Sequence, residues 1–188
     1  EDGLPYNKVS EILQDQEGTF WFGTWNGLSR YDGQRFINFK TEDGLASNVV
    51  GSILRDREGH LWLGTEGGLC KYDDRTFISF HPGGVNQDQK IEGIFQDQDG
   101  NLWFDELRFD GKVFTHFTTE DGLAHNSVRG IVEHQDGALW FATNGYGVSR
   151  YDGKKFTIFG WQDGMFDDRF NRRIFRDPDG AVWIANRV

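Results

Sequence analysis

The chain has 188 residues and a formal net charge of −10; only 37% of residues are hydrophobic, yet 15% are aromatic, with 17 Phe and 7 Trp. That length supports one real core, and an acidic surface repels phosphate backbones, which argues against nucleic acid as a partner. No apolar run reaches membrane-spanning length and no leader-peptide pattern is visible, so membrane insertion is not expected of this chain.

The chain opens in a loop, Glu1-Asp2-Gly3-Leu4, and then alternates apolar positions at Val9, Ile12 and Leu13 (strand A). A tight polar turn follows, Asp15-Gln16-Glu17-Gly18, and then the apolar triplet Phe20-Trp21-Phe22 leading into Gly23-Thr24 (strand B). Strand C reads Leu28-Ser29-Arg30-Tyr31, an Asp32-Gly33 turn follows, and strand D carries Phe36 and Phe39. Short apolar runs bounded by Gly and Asp turns are strand signals, and the windows are too short for helices.

The unit then recurs. The triplet returns as Leu61-Trp62-Leu63, Leu102-Trp103-Phe104, Leu139-Trp140-Phe141 and Val182-Trp183-Ile184, with steps of 41, 41, 37 and 43 between the Trp residues. The A–B turn returns as Asp56-Arg57-Glu58-Gly59, Asp97-Gln98-Asp99-Gly100, His134-Gln135-Asp136-Gly137 and Asp177-Pro178-Asp179-Gly180. The Phe pair returns at 77 and 80, 114 and 117, and 156 and 159. Repeats near 40 residues built of short strands predict an all-β propeller of four-stranded blades.

The repeat units fall at about 1–40, 41–81, 82–118, 119–160 and 161–188, taken together as one propeller domain or part of one. Four blades are expected complete and the fifth as a half-blade. The third copy departs from the pattern, with Asp105-Glu106 in place of Gly-Thr and a shortened B–C loop, but it should still form. The last copy stops after strand B, so Ala181 to Val188 should present an open edge. Either that edge pairs with a further segment or another chain, or this stretch is the least ordered of the chain. The Trp of all five triplets are expected to be buried between adjacent sheets. Cys70, the one cysteine, reads as a small core residue.

The pattern Asp-x-x-Gly-x-Leu-Trp-x-Gly-Thr-x-x-Gly-Leu-x-Arg-Tyr-Asp-Gly-x-x-Phe, followed by Glu-Asp-Gly-Leu-x-x-Asn-x-Val, resembles the two-component regulator propeller repeat. The resemblance is clearest at 9–80 and 119–159 and weaker at 85–117. It implies a ligand-sensing propeller, as in the extracytoplasmic part of bacterial hybrid sensor kinases, with carbohydrates as frequent signals. A periplasmic or secreted location follows from it.

Propellers are scaffolds, and function is carried by their loops. The A–B and C–D turns lie at one end of a four-stranded meander and repeat almost unchanged. The B–C and D–A loops lie at the other end and vary. Trp25 and Trp161 fall outside the core register on that variable end, with Trp161 in the place of Thr41 and Thr119. With Glu66, His125, Asn144, Tyr146 and Arg169 they offer aromatic faces beside hydrogen-bonding groups, the chemistry of a glycan or other small polar ligand site. A competing reading has both Trp residues as blade caps. Asn7, Asn48 and Asn126 repeat in register and read as structural residues closing the D–A turn.

No cofactor or metal is expected. The five His are scattered without metal-ligand spacing, the Asp-x-Asp-Gly turns lack the Glu that closes a calcium loop, and no nucleophile motif appears. The expectation is a non-enzymatic binding or sensor module. A propeller-type lyase or hydrolase and a protein-interaction scaffold are the alternatives.

Overall fold

A computed structural model describes residues 3–80, 90–91, 93–145, 147–165 and 171–186, with backbone alone at 171, 172 and 186. Two compact units emerge, Glu1–Ile94 and Phe95–Val188.

All strand pairing is antiparallel and between sequence neighbours, as the repeat predicts. The first sheet holds β1 (Val9–Gln14), β2 (Phe20–Thr24), β3 (Gly27–Tyr31) and β4 (Phe36–Phe39). The second holds β5 (Val50–Arg55), β6 (Leu61–Thr65), β7 (Gly68–Tyr72) and β8 (Phe77–Phe80). The third is built from three-residue strands, β9 (Ile94–Gln96), β10 (Leu102–Phe104), β11 (Leu107–Phe109) and β12 (Phe114–His116). The fourth holds β13 (Val128–Glu133), β14 (Leu139–Thr143), β15 (Val148–Tyr151) and β16 (Phe156–Phe159). β17 (Asn171–Arg176) and β18 (Val182–Asn186) form a two-stranded sheet. The architecture is that of an all-β propeller, with four complete sheets and one half-sheet.

Two features of the chain are clearer in three dimensions. The register of the first strand shifts between Val9 and Glu11, Val50 and Ser52, Val128 and Gly130, and Asn171 and Arg173. This repeated bulge puts Val9 and Ile12, three residues apart, on one face, while Leu13 opposite Trp21 takes the other. Three D–A loops contain a one-turn 3-10 helix, Thr41–Asp43, Thr119–Asp121 and Trp161–Asp163. The Asp of each turns back to accept the backbone N–H three residues earlier, from Lys40, Thr118 and Gly160, at 2.8 to 2.9 Å. The following Gly44, Gly122 and Gly164 take positive φ, which is why Gly follows Asp in each of the three.

The indoles anchor the packing. Trp21, Trp62 and Trp103 are buried, and each stacks or tilts against the second Phe of its own fourth strand, Phe39, Phe80 and Phe117. Trp21 also meets Tyr72 edge-on, and Trp103 meets Tyr151 in the same way. Cys70 is fully buried in the core shared by the first two sheets, beside Leu28, Val50, Ile53 and Leu63. Gly64 is required there, since a Cβ would stand 2.7 Å from the Ile91 carbonyl oxygen.

The expectation of five buried indoles holds for three. Trp140 is half-buried, and Trp183 is 62% exposed.

Four of the five A–B turns are closed by their leading Asp, the fourth having His134 in that place. One carboxylate oxygen accepts the backbone N–H four residues on (Thr19, His60, Asn101, Ala181), at 2.7 to 2.9 Å. The other accepts the indole N–H six residues on: Asp15 from Trp21 at 3.1 Å, Asp56 from Trp62 at 2.7 Å, Asp97 from Trp103 at 2.8 Å and Asp177 from Trp183 at 2.7 Å. C–D turns use Asp32, Asp73, Asp110 and Asp152, each accepting the N–H groups two and three residues on. Those backbone donors hold the four carboxyls below the usual Asp range.

Two outcomes follow. Trp103→Ala should cost about 3–5 kcal/mol of unfolding free energy, while Trp183→Ala should cost far less, as read by denaturant melts of the two variants. Stability should also fall in acid. A carboxyl whose folded pKa is depressed stabilises the fold above its unfolded value and loses that contribution as pH drops through the folded one. The denaturation midpoint should therefore decline once pH passes below the ordinary Asp value of 3.8, and an Asp32→Asn/Asp73→Asn/Asp110→Asn/Asp152→Asn variant should flatten that decline.

Candidate ligand-binding site

The variable end is built on Thr brackets. Thr24 closes the β2–β3 turn by donating from Oγ1 to the Gly27 carbonyl at 2.7 Å and accepting the Asn26 N–H at 3.1 Å. Thr65 does the same with Gly68 and Gly67 at 2.8 and 3.1 Å. Thr143 donates to the carbonyls of Gly145 and Gly147, both at 2.8 Å, in a longer loop. The bracket fixes the backbone and leaves the next residue, Trp25, Glu66 or Asn144, at the tip.

In the first unit, Trp25 is 45% exposed, but one face lies under the Lys8 ammonium, 3.1 Å from the ring centroid. Its backbone N–H donates to the Lys8 carbonyl at 3.3 Å. That cation–π contact ties the B–C turn to the D–A loop, which is the blade-cap arrangement. Glu66 is exposed, with Oε1 at 4.0 Å from Lys90 Nζ, and its backbone N–H donates to the Val49 carbonyl at 3.1 Å.

In the second unit, Trp161 heads its 3-10 turn and is 70% exposed. Asn144 is half-buried and donates its backbone N–H to Ser127 at 2.8 Å. His125 is half-buried, and its Nδ1 accepts the Ser127 N–H at 3.1 Å. The D–A loop residues 125–127 and the B–C residue Asn144 therefore meet at one end of the same sheet, as the meander requires. Tyr146 and Arg169 lie outside the described residues. The Asn expectation holds at two positions: Asn48 accepts the Thr41 N–H at 2.9 Å and Asn126 the Thr119 N–H at 2.7 Å, so both close the D–A turn.

Two clusters went unrecognised in the sequence. At the shortened B–C turn Asp105 takes a φ of 52°, and both Asp105 and Glu106 are buried. Glu106 Oε1 lies 3.7 Å from His116 Nε2. The Asp105-Glu106 departure from Gly-Thr was the visible signal; the pairing with His116 needed the β11–β12 register, which sets Leu107 opposite His116. At the second A–B turn the ligand atoms of Asp56, Glu58 and His60 lie within 4.8 Å of one another. The alternate spacing of the three residues was legible, but Asp56 already accepts from the His60 backbone, its imidazole and the Trp62 indole, so this group is the turn's own clamp.

The family pattern described as "Two component regulator propeller" matches residues 3–26, 44–67 and 122–145. Three stretches of the chain therefore match this repeat. Each matched stretch runs from the D–A loop through strands A and B to the tip of the B–C turn, so the repeat includes the positions of Trp25, Glu66 and Asn144. The chain is similar to the extracellular domain of the hybrid two component system BT3049 from B. thetaiotaomicron, with 26% identity and a TM-score of 0.83 over 98% of this chain and 26% of that one. The extracellular domain of BT4673 from the same organism gives 22% identity and 0.80 over 96% and 28%. Virginiamycin B lyase from Staphylococcus aureus shares the fold at 16% identity and 0.74, over 95% and 63%. The chain thus spans about a quarter of the two sensor-system domains it resembles. No curated protein matches it.

The brackets and the tips separate in their response to mutation. Gly67→Ala would bring a Cβ to 2.5 Å from the Ala46 carbonyl oxygen and should lower the melting temperature clearly. Trp161→Ala, which removes an exposed ring, should change stability by no more than about 0.5 kcal/mol in the same melts.

Proposed function

We propose that these repeats form an extracytoplasmic, non-enzymatic sensor module that binds a small polar ligand, a carbohydrate foremost, on the end built from B–C and D–A loops. Support comes from the likeness to extracellular domains of two-component systems. The observation that carries the ligand reading is Trp161. Its ring is 70% exposed at a turn position where the sister turns carry Thr41 and Thr119. An exposed indole has no packing reason to be there, and its flat apolar face suits the C–H face of a sugar ring. Half-buried Asn144 and His125 stand on the neighbouring sheet end as hydrogen-bonding groups. Trp25 serves in this reading as a blade cap under Lys8 rather than as a contact.

A lyase or hydrolase is the rival, and among the described residues Glu106 and His116 are the pair it would use. Glycan-array screening of the full chain, followed by calorimetry on the best binder, tests both. Trp161→Ala should weaken binding about tenfold or more with the melting temperature unchanged. Unaltered binding in that variant removes Trp161 from the site. Turnover of the bound glycan that disappears in His116→Ala selects the enzyme.

A further inference from the structure

Neighbouring sheets pack through one repeated joint. Within the first unit, the first sheet presents Leu13, Trp21 and Phe39, and the second receives them on Ile53, Leu61, Leu63, Tyr72 and Phe77. Trp21 and Phe39 each meet Tyr72 at 5.7 Å between ring centroids, and Phe39 meets Phe77 at 5.3 Å. Within the second unit, the third sheet presents Phe95, Trp103 and Phe117, and the fourth receives them on Ile131, Leu139, Phe141, Tyr151 and Phe156. Trp103 lies 5.9 Å from Tyr151, and Phe117 lies 5.4 Å from Tyr151 and 5.5 Å from Phe156. A presenting face is thus an indole with apolar flankers. A receiving face is an apolar floor around a close Tyr–Phe pair, Tyr72 with Phe77 at 4.4 Å or Tyr151 with Phe156 at 4.7 Å.

Among the described residues both kinds of face also stand uncovered. On the other side of the first sheet, Ile12, Phe20, Phe22, Tyr31 and Phe36 hold the register positions of Ile53, Leu61, Leu63, Tyr72 and Phe77. Its Tyr31–Phe36 pair is already formed at 4.5 Å, and Phe36 also meets Phe22 at 6.1 Å. Yet Ile12 is 58% exposed where Ile53 is 6%. Phe20, Phe22 and Tyr31 are half-buried where Leu61, Leu63 and Tyr72 are buried. The two-stranded sheet carries the counterpart. Phe175 and Trp183 are cross-strand partners, as Leu13 and Trp21 are, so they share one face. They are 60% and 62% exposed where Trp21 and Trp103 are 1%.

The polar edge of the joint matches too. Arg55, the last residue of β5, reaches the turn of the presenting sheet and donates Nη1 to Asp15 Oδ2 at 3.1 Å. Gln14, exposed at the end of β1, holds the place of Arg55, and Asp177 holds that of Asp15. An amide donor and a carboxylate acceptor therefore occupy corresponding positions on the two uncovered faces.

We propose that these faces join between molecules: the Phe175–Trp183 face of one copy of this chain docks on the Ile12–Phe22–Tyr31–Phe36 face of a second copy. Trp183 then meets Tyr31 as Trp21 meets Tyr72, and Gln14 donates to Asp177. The two faces differ, so the contact is heterologous, and association continues past two copies unless a ring closes. Sheet faces rather than loop ends make this contact, so the inference is independent of the ligand reading and survives its failure.

Sedimentation velocity of the full chain over a concentration series tests it. Mass should rise above that of the monomer at about 10–100 μM, and Trp emission should move to the blue as Trp183 leaves water. Trp183→Asp removes the presenting face and Ile12→Asp the receiving one. Both side chains are exposed, so each variant should keep the fold in thermal melts. Trp183→Ser and Ile12→Ser repeat the test without an added charge. Each variant alone should associate at least about tenfold more weakly. An equimolar mixture of the two should form a 1:1 dimer and nothing larger, because Trp183→Asp keeps an intact receiving face and Ile12→Asp an intact presenting face. A chain that stays monomeric throughout the series overturns the proposal and leaves the two faces to other partners. Undiminished association of either variant, as a symmetric contact would give, overturns it as well. So does a mixture of folded variants that fails to pair.

Discussion

The interaction on which the rest of the structure depends is the hydrogen bond from a Trp indole to the Asp that closes the preceding turn. The Trp is the largest group in each blade, and its burial against the Phe of the fourth strand supplies much of the apolar contact. Burying it also buries an N–H, which costs about 1–3 kcal/mol if unmet. The Asp resolves this while its other oxygen holds the turn, so one side chain sets both the hairpin and the depth of the indole. Asp six residues before Trp is therefore a structural pair, its carboxylate serving the turn and the indole. A single Asp-to-His change at 134 uncouples the two tasks, and the molecule shows the consequence as a stranded donor.

The two ends of the sheets obey different constraints. At the A–B and C–D end each turn is closed by its own carboxylate through bonds two to six residues away, so each turn is self-sufficient and the copies stay alike. At the other end the Thr brackets fix only the backbone, and the tip residue is left to vary as Trp25, Glu66 or Asn144. The shortened third turn is the exception. Without the bracket it becomes a two-residue hairpin, takes Asp105 into positive φ, and draws Glu106 inward beside His116. Variation at this end can thus be absorbed into the blade as well as presented to solvent, which is what separates Trp25, covered by Lys8, from Trp161.

The sequence by itself determined the repeat, the strand order and the half-sheet at 171–186, because period, turn chemistry and apolar alternation are all local signals. It also determined the roles of Asn48 and Asn126, whose recurrence in register marked them as turn-closing groups. The bulge after the first residue of four of the A strands was implicit in the spacing of Val9 and Ile12 but needed the pairing to be read. What only the tertiary structure decided were the matters that depend on a neighbour distant in sequence: the exposure of Trp183, the Lys8 cover on Trp25, the Glu106–His116 approach, and the unmet Trp140 indole. A repeat pattern specifies what every copy shares. The contacts that distinguish one copy from another arise where a side chain meets the next strand or the next sheet, and a linear period carries no information about that distance.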